Sequence, residues 1–180
     1  MEFNKVVANP MLAGAIALLK DEDTKEHRNM FVGELQKARL LAPAIIEPEP
    51  VENAEGQLSV VPGSKVQFPM LSTPDGKKFL MGFTDIGEYQ KWKEKNKELP
   101  FFALKLEDYA GMLVSKSPQG VMNPALGFVI NPLGENVVVP KEMVTGIIAA
   151  KVAYARQQAG KDPRQSLQPS PKPGDGEGRD

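Results

Sequence analysis

The chain has 180 residues, 41% of them hydrophobic and 25% charged, which is ordinary globular composition and enough length for one well-buried core. Its 22 basic and 23 acidic residues leave a net charge of -1, and because the two signs are interspersed no sustained field is expected to hold a nucleic acid. The absence of cysteine excludes a disulfide framework, a thiolate metal site, a cysteine nucleophile and sulfur transfer through a protein persulfide.

Residues 1–10 carry Glu2 and one lysine, and the apolar run from Met11 to Leu19 is short, contains Gly14 and leads directly into Lys20-Asp21-Glu22-Asp23. With no small-residue cleavage pattern and too little length to cross a bilayer, this start predicts neither a signal peptide nor a membrane contact; the expected location is the cytoplasm. Asn9 followed by Pro10 is a helix start, since an Asn cap can accept a backbone N–H and proline suits the first helical position. Leu12, Ala15, Ile16 and Leu19 then share one face. A second helix is expected from Asp23, with Asp23 and Glu26 as a capping box, to Ala38, with Phe31, Leu35 and Ala38 inward. Together these predict a helical hairpin over 9–38.

Leu40 to Ile46 reads as a strand that Pro43 pushes to an edge or a bulge, because proline cannot donate to a ladder. From Glu47 to Gln57 the chain is acidic, proline-bearing and nearly free of large apolar groups, which predicts a mobile surface loop. Leu58 to Val61 is a short candidate strand.

Two blocks then repeat one design of strand, X-Pro-X-Gly turn and strand: residues 67–85, around Thr73-Pro74-Asp75-Gly76, and residues 127–140, around Asn131-Pro132-Leu133-Gly134. Pro74 and Pro132 preset φ, Thr73 and Asn131 can hydrogen-bond locally, and Gly76 and Gly134 are expected to take positive φ. In the first block Val66, Phe68 and Met70 alternate inward on one arm, as do Phe79, Met81 and Phe83 on the other. Thr84 or Asp85 caps a helix through Ile86, Tyr89 and Trp92, a strand follows at Leu99 to Leu104, and Leu106 to Ser115 forms a short helix with Leu106, Tyr109 and Leu113 on one side. Phe128 to Ile130 and Val137 to Val139 are unbroken apolar runs, expected as central strands covered on both faces. A last helix from Pro140 should bury Val144, Ile147, Ile148, Val152 and Ala155.

The fold class expected is α+β (α/β): a mixed, largely antiparallel sheet with hairpins, covered by helices, in a single domain over 1–158. Residues 159–180, with four prolines from 163 to 173 and Leu167 as the one large aliphatic residue, predict a disordered tail acting as spacer rather than docking peptide.

Chemistry is harder to find. His27, the single histidine, lies four residues before Phe31 and reads as a boundary residue rather than a catalytic one. Asp85 with Glu88, and Asp21-Glu22-Asp23, read as caps and solvated helix ends, although paired carboxylates could serve acid–base or divalent-metal chemistry. No phosphate-binding glycine loop or nucleophile elbow occurs, and Ser64, Ser72, Ser115 and Ser117 have no activating base nearby in sequence. On helical spacing Trp92 falls on the flank of the stripe set by Ile86 and Tyr89; partial exposure there would make it an interface anchor, while core packing is the plainer reading. Glutamates between Lys91 and Glu98 cancel the field that single-stranded nucleic acid requires.

The pieces Phe68-Pro-Met-Leu-Ser-Thr-Pro-Asp-Gly76, Phe79-Leu-Met-Gly-Phe-Thr-Asp85, the Glu88 to Trp92 helix and Gly127-Phe-Val-Ile-Asn-Pro-Leu-Gly-Glu-Asn-Val-Val-Val139, in that order, resemble the N-terminal domain of the SseB-like family, enhanced serine sensitivity proteins. The resemblance covers roughly 35–150. It implies a compact α/β domain of bacterial, cytoplasmic origin, in a family without an established biochemical activity, and so carries over no catalytic residues.

The function preferred on this reading is a non-enzymatic binding or regulatory module for a protein or small metabolite, working without a cofactor or metal. Its expected contact residues are Phe83, Thr84, Tyr89, Trp92, Asn131 and Pro132. The competing readings are a carboxylate- or metal-dependent hydrolase or transferase using Asp85 and Glu88, and a self-associating structural protein that forms a homo-oligomer through the edge near Pro43 or the first helix.

Overall fold

A computed structural model of the chain describes residues 1–159, so the expected tail lies outside the described residues apart from the helical backbone of Ala159. Contacts divide the chain into two units, Met1–Ile148 and the remainder from Ala149. The domain expected over 1–158 covers the first and the start of the second.

In the first unit a short strand β1 (Glu2–Phe3) precedes the helical hairpin α1 (Pro10–Asp21) and α2 (Lys25–Lys37). The hairpin is as expected, but its caps differ. The Asn9 side chain makes no cap bond and is used elsewhere, and Thr24 rather than Asp23 caps α2, accepting from the His27 N–H at 3.1 Å. Asp23 instead pairs with Arg28. Leu12, Ala15, Ile16, Phe31 and Leu35 are buried, as their spacing requires.

Strands β2 (Arg39–Pro43) and β3 (Ile45–Glu47) replace the single strand expected over 40–46. The acidic stretch after them is not all loop: β4 (Val51–Glu52) pairs antiparallel with β5 (Leu58–Ser59) in an exposed hairpin. Strand β6 (Lys65–Gln67) pairs with β3 and is exposed throughout, so Val66 does not point inward. The first proline-glycine hairpin forms between β7 (Leu71–Ser72) and β8 (Lys78–Gly82), with Leu71 opposite Phe79. Gly76 has φ 79° and donates to the Thr73 carbonyl at 2.9 Å, and Asp75, hydrogen-bonded by Lys77 and Thr73, is lowered to about 2.

Helix α3 (Ile86–Lys93), strand β9 (Phe101–Lys105) and helix α4 (Leu106–Val114) follow, then β10 (Ala125–Ile130), β11 (Val137–Pro140) and α5 (Lys141–Ala159). The sheets run β1-β9-β2, all antiparallel, and β11-β10-β8-β7, in which β10 lies parallel to β8. A bridge joins them: Leu41 donates to the Phe83 carbonyl at 2.9 Å and Phe83 returns a bond to the Leu41 carbonyl at 2.8 Å.

Both faces of this platform are buried. One carries the larger core, where Leu40, Ala42, Ala44, Leu80, Phe128 and Ile130 meet the helical hairpin, α4 and Val144 of α5. The other carries a smaller cluster of Leu41, Met81, Phe83, Tyr89, Trp92, Phe101 and Ala103. Strand β8 serves both, which is why Leu80 is as buried as Met81 and Phe83. β10 is covered on both faces as expected, but β11 is an edge strand and Val138 is exposed. In the second unit Val152 and Ala155 are exposed rather than inward.

Gly82 has a steric rather than conformational reason to be glycine. A Cβ there would stand 2.7 Å from the Tyr109 hydroxyl and 2.9 Å from Leu40 Cδ1, and that hydroxyl donates to the Met81 carbonyl at 2.8 Å in full burial. Gly82→Ala is therefore expected to destabilise the protein by about 1–3 kcal/mol through overpacking and displacement of this bond. Urea denaturation is the check, and an unchanged midpoint would show that the site can relax.

Candidate functional site

The sequence-selected residues fall into a buried polar tie and a buried aromatic cluster, with an open groove beside the second. The tie is centred on Asn131, 1% exposed, which follows β10 with φ 49°, in the left-handed region that asparagine tolerates better than most residues. Its Oδ1 accepts the Thr84 backbone N–H at 2.9 Å, and its Nδ2 donates to Thr84 Oγ1 at 2.9 Å and to Glu135 Oε2 at 2.7 Å. Its backbone carbonyl accepts from Gly134 and Asn136, closing the corner 131–136. On the far side Asn9 Nδ2 donates to the carbonyls of Thr84 and Arg39, both at 2.7 Å, and Asn9 Oδ1 accepts from the Arg39 N–H. Thr84 and Asn131, expected as contact residues, are thus placed in the interior, where they satisfy each other.

Gly134 does not take the positive φ expected of it; Asn131 and Asn136, at 49° and 53°, do so instead. Gly134 is small because the Glu88 carboxylate occupies the space a Cβ would need. Pro132 is half-buried and Leu133 beside it is exposed.

Asp85 and Glu88 are brought together, but as a helix start. Asp85 Oδ1 accepts the Glu88 N–H at 3.0 Å, and its Oδ2 accepts from Thr84 Oγ1 at 2.9 Å, which completes the predicted cap. Glu88 Oε1 pairs with Lys91, whose ammonium is held above its usual range by that bond, and Oε2 is buried without a partner. Among the described residues no group of three His, Asp or Glu side chains is placed to hold a metal ion. His27 lies at the start of α2 with Nδ1 2.6 Å from the Glu22 carbonyl oxygen, remote in sequence from both carboxylates.

In the aromatic cluster Tyr89 meets Phe83 and Phe101 edge to face, and Trp92 lies tilted against Phe83 and Tyr89. Phe83 lies 5.6 Å from Tyr89 and 5.9 Å from Trp92 between ring centroids, and Tyr89 lies 5.2 Å from Phe101. Trp92 is only 7% exposed, so the partial exposure its spacing suggested is absent: its ring packs against Phe83 and Tyr89. The Tyr89 hydroxyl donates to the Leu99 carbonyl, and burial pushes its phenol up.

Of the expected contact residues, Tyr89 reaches a groove of about 390 Å³ in which sequence reasoning had placed nothing else. One wall is β3 and the β4–β5 hairpin, with Ile45, Glu49 and Leu58; the other is the link from α3 to β9, with Lys97, Leu99 and Pro100. The volume falls in the range of concave ligand sites, and the lining is mainly apolar with a few charges. The lining residues come from five separated segments, so no local pattern could have announced them. The nearest signal was the change of character at Pro43 and at Leu99-Pro100, where the paired strands part.

The model of the SseB protein N-terminal domain matches residues 12–145, from the first turn of α1 to the start of α5. The chain belongs to the SseB family. The matched region of this SseB domain reaches further toward the N-terminus than the resemblance over 35–150, and it includes both hairpins, the Thr84–Asn131 tie and the whole groove except Asn4. No curated protein and no solved structure matches the chain.

The tie yields a direct prediction. Asn131→Ala leaves the Thr84 N–H and hydroxyl without their buried partner and places alanine at positive φ, so stability should fall by about 2–4 kcal/mol. The neighbouring exposed Leu133→Ala should change it by less than about 0.5 kcal/mol. Thermal or urea unfolding of the two variants distinguishes an internal tie from a surface contact residue.

Proposed function

We propose that this SseB domain is a non-enzymatic binding or regulatory module that takes a protein segment or a small metabolite in the groove between β3, the β4–β5 hairpin and the Lys97–Pro100 link. The observation that carries the reading is the contrast between a rigid floor and open walls. The floor is Tyr89 and Phe101, locked into the aromatic cluster, while the walls, β3 with the β4–β5 hairpin and the Lys97–Pro100 link, leave Ile45 and Leu58 uncovered. Recognition sites commonly have this form, with variable loops carried on a fixed scaffold. Phe83, Trp92, Thr84 and Asn131 then act from beneath, by fixing α3 and the corner at Thr84, and Pro132 lies outside the groove lining.

The carboxylates support this division of labour. Both oxygens of Asp85 are engaged in holding the helix start and one of Glu88 is paired with Lys91 along the helix, so their geometry serves position.

The test is a titration of isotope-labelled full-length protein with a library of small amphipathic and zwitterionic fragments, followed by amide chemical shifts. Perturbations are expected at Ile45, Leu58 and Lys97 to Phe101, and Leu58→Arg, at an exposed position, should abolish them without moving the unfolding midpoint. Hits that cluster around Leu133 instead, or binding that ignores Leu58→Arg, would overturn the assignment.

A further inference from the structure

The groove opens where a strand ladder stops short. From β2 into β3 the side chains of Leu40, Ala42, Ala44 and Ile46 all enter the larger core, so the alternation runs on without a slip across Ala44. Backbone directions must alternate with it. Leu41 donates toward Phe83, on the β8 side, and Ala44 donates at 2.8 Å to the Pro100 carbonyl, on the β9 side. Ile46, two residues beyond Ala44, therefore aims its N–H and C=O to the β9 side as well. There β9 has already given way to the Lys97–Pro100 link, and the groove takes its place.

A second observation agrees. The Ile46 side chain is buried in the larger core, whereas Tyr89 and Phe101 belong to the cluster on the opposite face, so it is the backbone of Ile46 that lines the groove they share. β6 contributes no residue to that lining, which places it on the other side of β3, paired through Ile45 and Glu47. The groove is thus walled by an unpaired length of strand edge, a feature that proteins otherwise cover or blunt.

The charges at its rim have the same character. Glu49 stands on one wall and Lys97 on the other, both exposed and neither in an ion pair with a described residue, while Glu98 is already paired with Lys93. An occupant matching this site carries one acidic and one basic group about an apolar middle, and offers a backbone donor and acceptor to Ile46. A short extended polypeptide has all of these at once.

We propose that the groove binds an extended segment of a partner polypeptide, added as a strand on the outer edge of β3 at Ile46, with its acidic residue toward Lys97 and its basic residue toward Glu49. This rests on the groove being the binding site and deepens it by naming the occupant. Affinity comes from main-chain hydrogen bonds, and selectivity from the two charges and from apolar contact with Ile45, Leu58 and Pro100.

The experiment is selection of a phage-displayed random heptapeptide library on the full-length chain, with Leu58→Arg protein as counter-selection. Enriched peptides should carry both charges around a β-branched centre. At saturation the best of them should slow exchange of the Ile46 amide at least tenfold, and N-methylation of its central amides should abolish binding. Lys97→Glu should weaken it about two- to fivefold, as expected for an exposed ion pair, with recovery when the peptide's acidic residue becomes lysine. Failure to enrich any peptide, an unaltered Ile46 amide, or indifference to N-methylation would overturn the proposal. Fragments that still occupy the groove would then preserve the groove reading with a small-molecule occupant, whereas an empty groove in both experiments would remove both.

Discussion

The two hairpins of this fold, paired along β8 and β10, are tied at one end by the side chain of a buried asparagine. Asn131 holds the backbone N–H and the hydroxyl of Thr84, while Asn9, from the opposite end of the domain, holds the Thr84 carbonyl. A buried backbone group left unpaired costs about 1–3 kcal/mol, so three satisfied groups on one residue fix the corner between β8 and α3 firmly. That corner sets the angle at which α3 leaves the sheet. The Phe-Thr-Asp and Asn-Pro-Leu-Gly pieces belong together in the sequence because they are the two halves of this tie.

From the corner, α3 is laid across the smaller core. Asp85 caps it, Glu88 packs against Gly134, and Tyr89 and Trp92 close on Phe83 and Phe101. The unpartnered Glu88 oxygen at this contact has its companion oxygen in an ion pair with Lys91. The helix ends in the link to β9, and since the Tyr89 hydroxyl anchors Leu99, the position of that link follows from the same packing. The groove wall formed by Lys97 to Pro100 is therefore set indirectly by the Asn131 tie. The other wall, the β4–β5 hairpin, is exposed on both strands and adds nothing to either core, so packing places little constraint on its side chains.

This arrangement separates two tasks that a sequence mixes. Aromatic and amide residues that look like contact groups supply rigidity here, and less conspicuous residues, Ile45, Leu58 and Pro100, supply the surface. In the proposed binding site an open strand edge lies beside them, and there the backbone of Ile46 would supply the polar part.

Periodicity and turn chemistry by themselves determined much of this protein. The helical hairpin, the Thr73–Lys77 turn, the pairing of Phe128–Ile130 with Val137–Val139, the Asp85 cap and the α4 face all follow from local preferences that tertiary contacts reinforce. Tertiary structure decided the rest where local rules were silent or competed. Asn9 gave up its cap for distant carbonyls, Asn131 took the positive φ that Gly134 was expected to supply, and Trp92 was buried because a helix stripe has no fixed width until its partner surface is known. The groove was invisible to the sequence for a physical reason: it is made by the divergence of strands distant along the chain, and a gap between segments leaves no mark on any one of them.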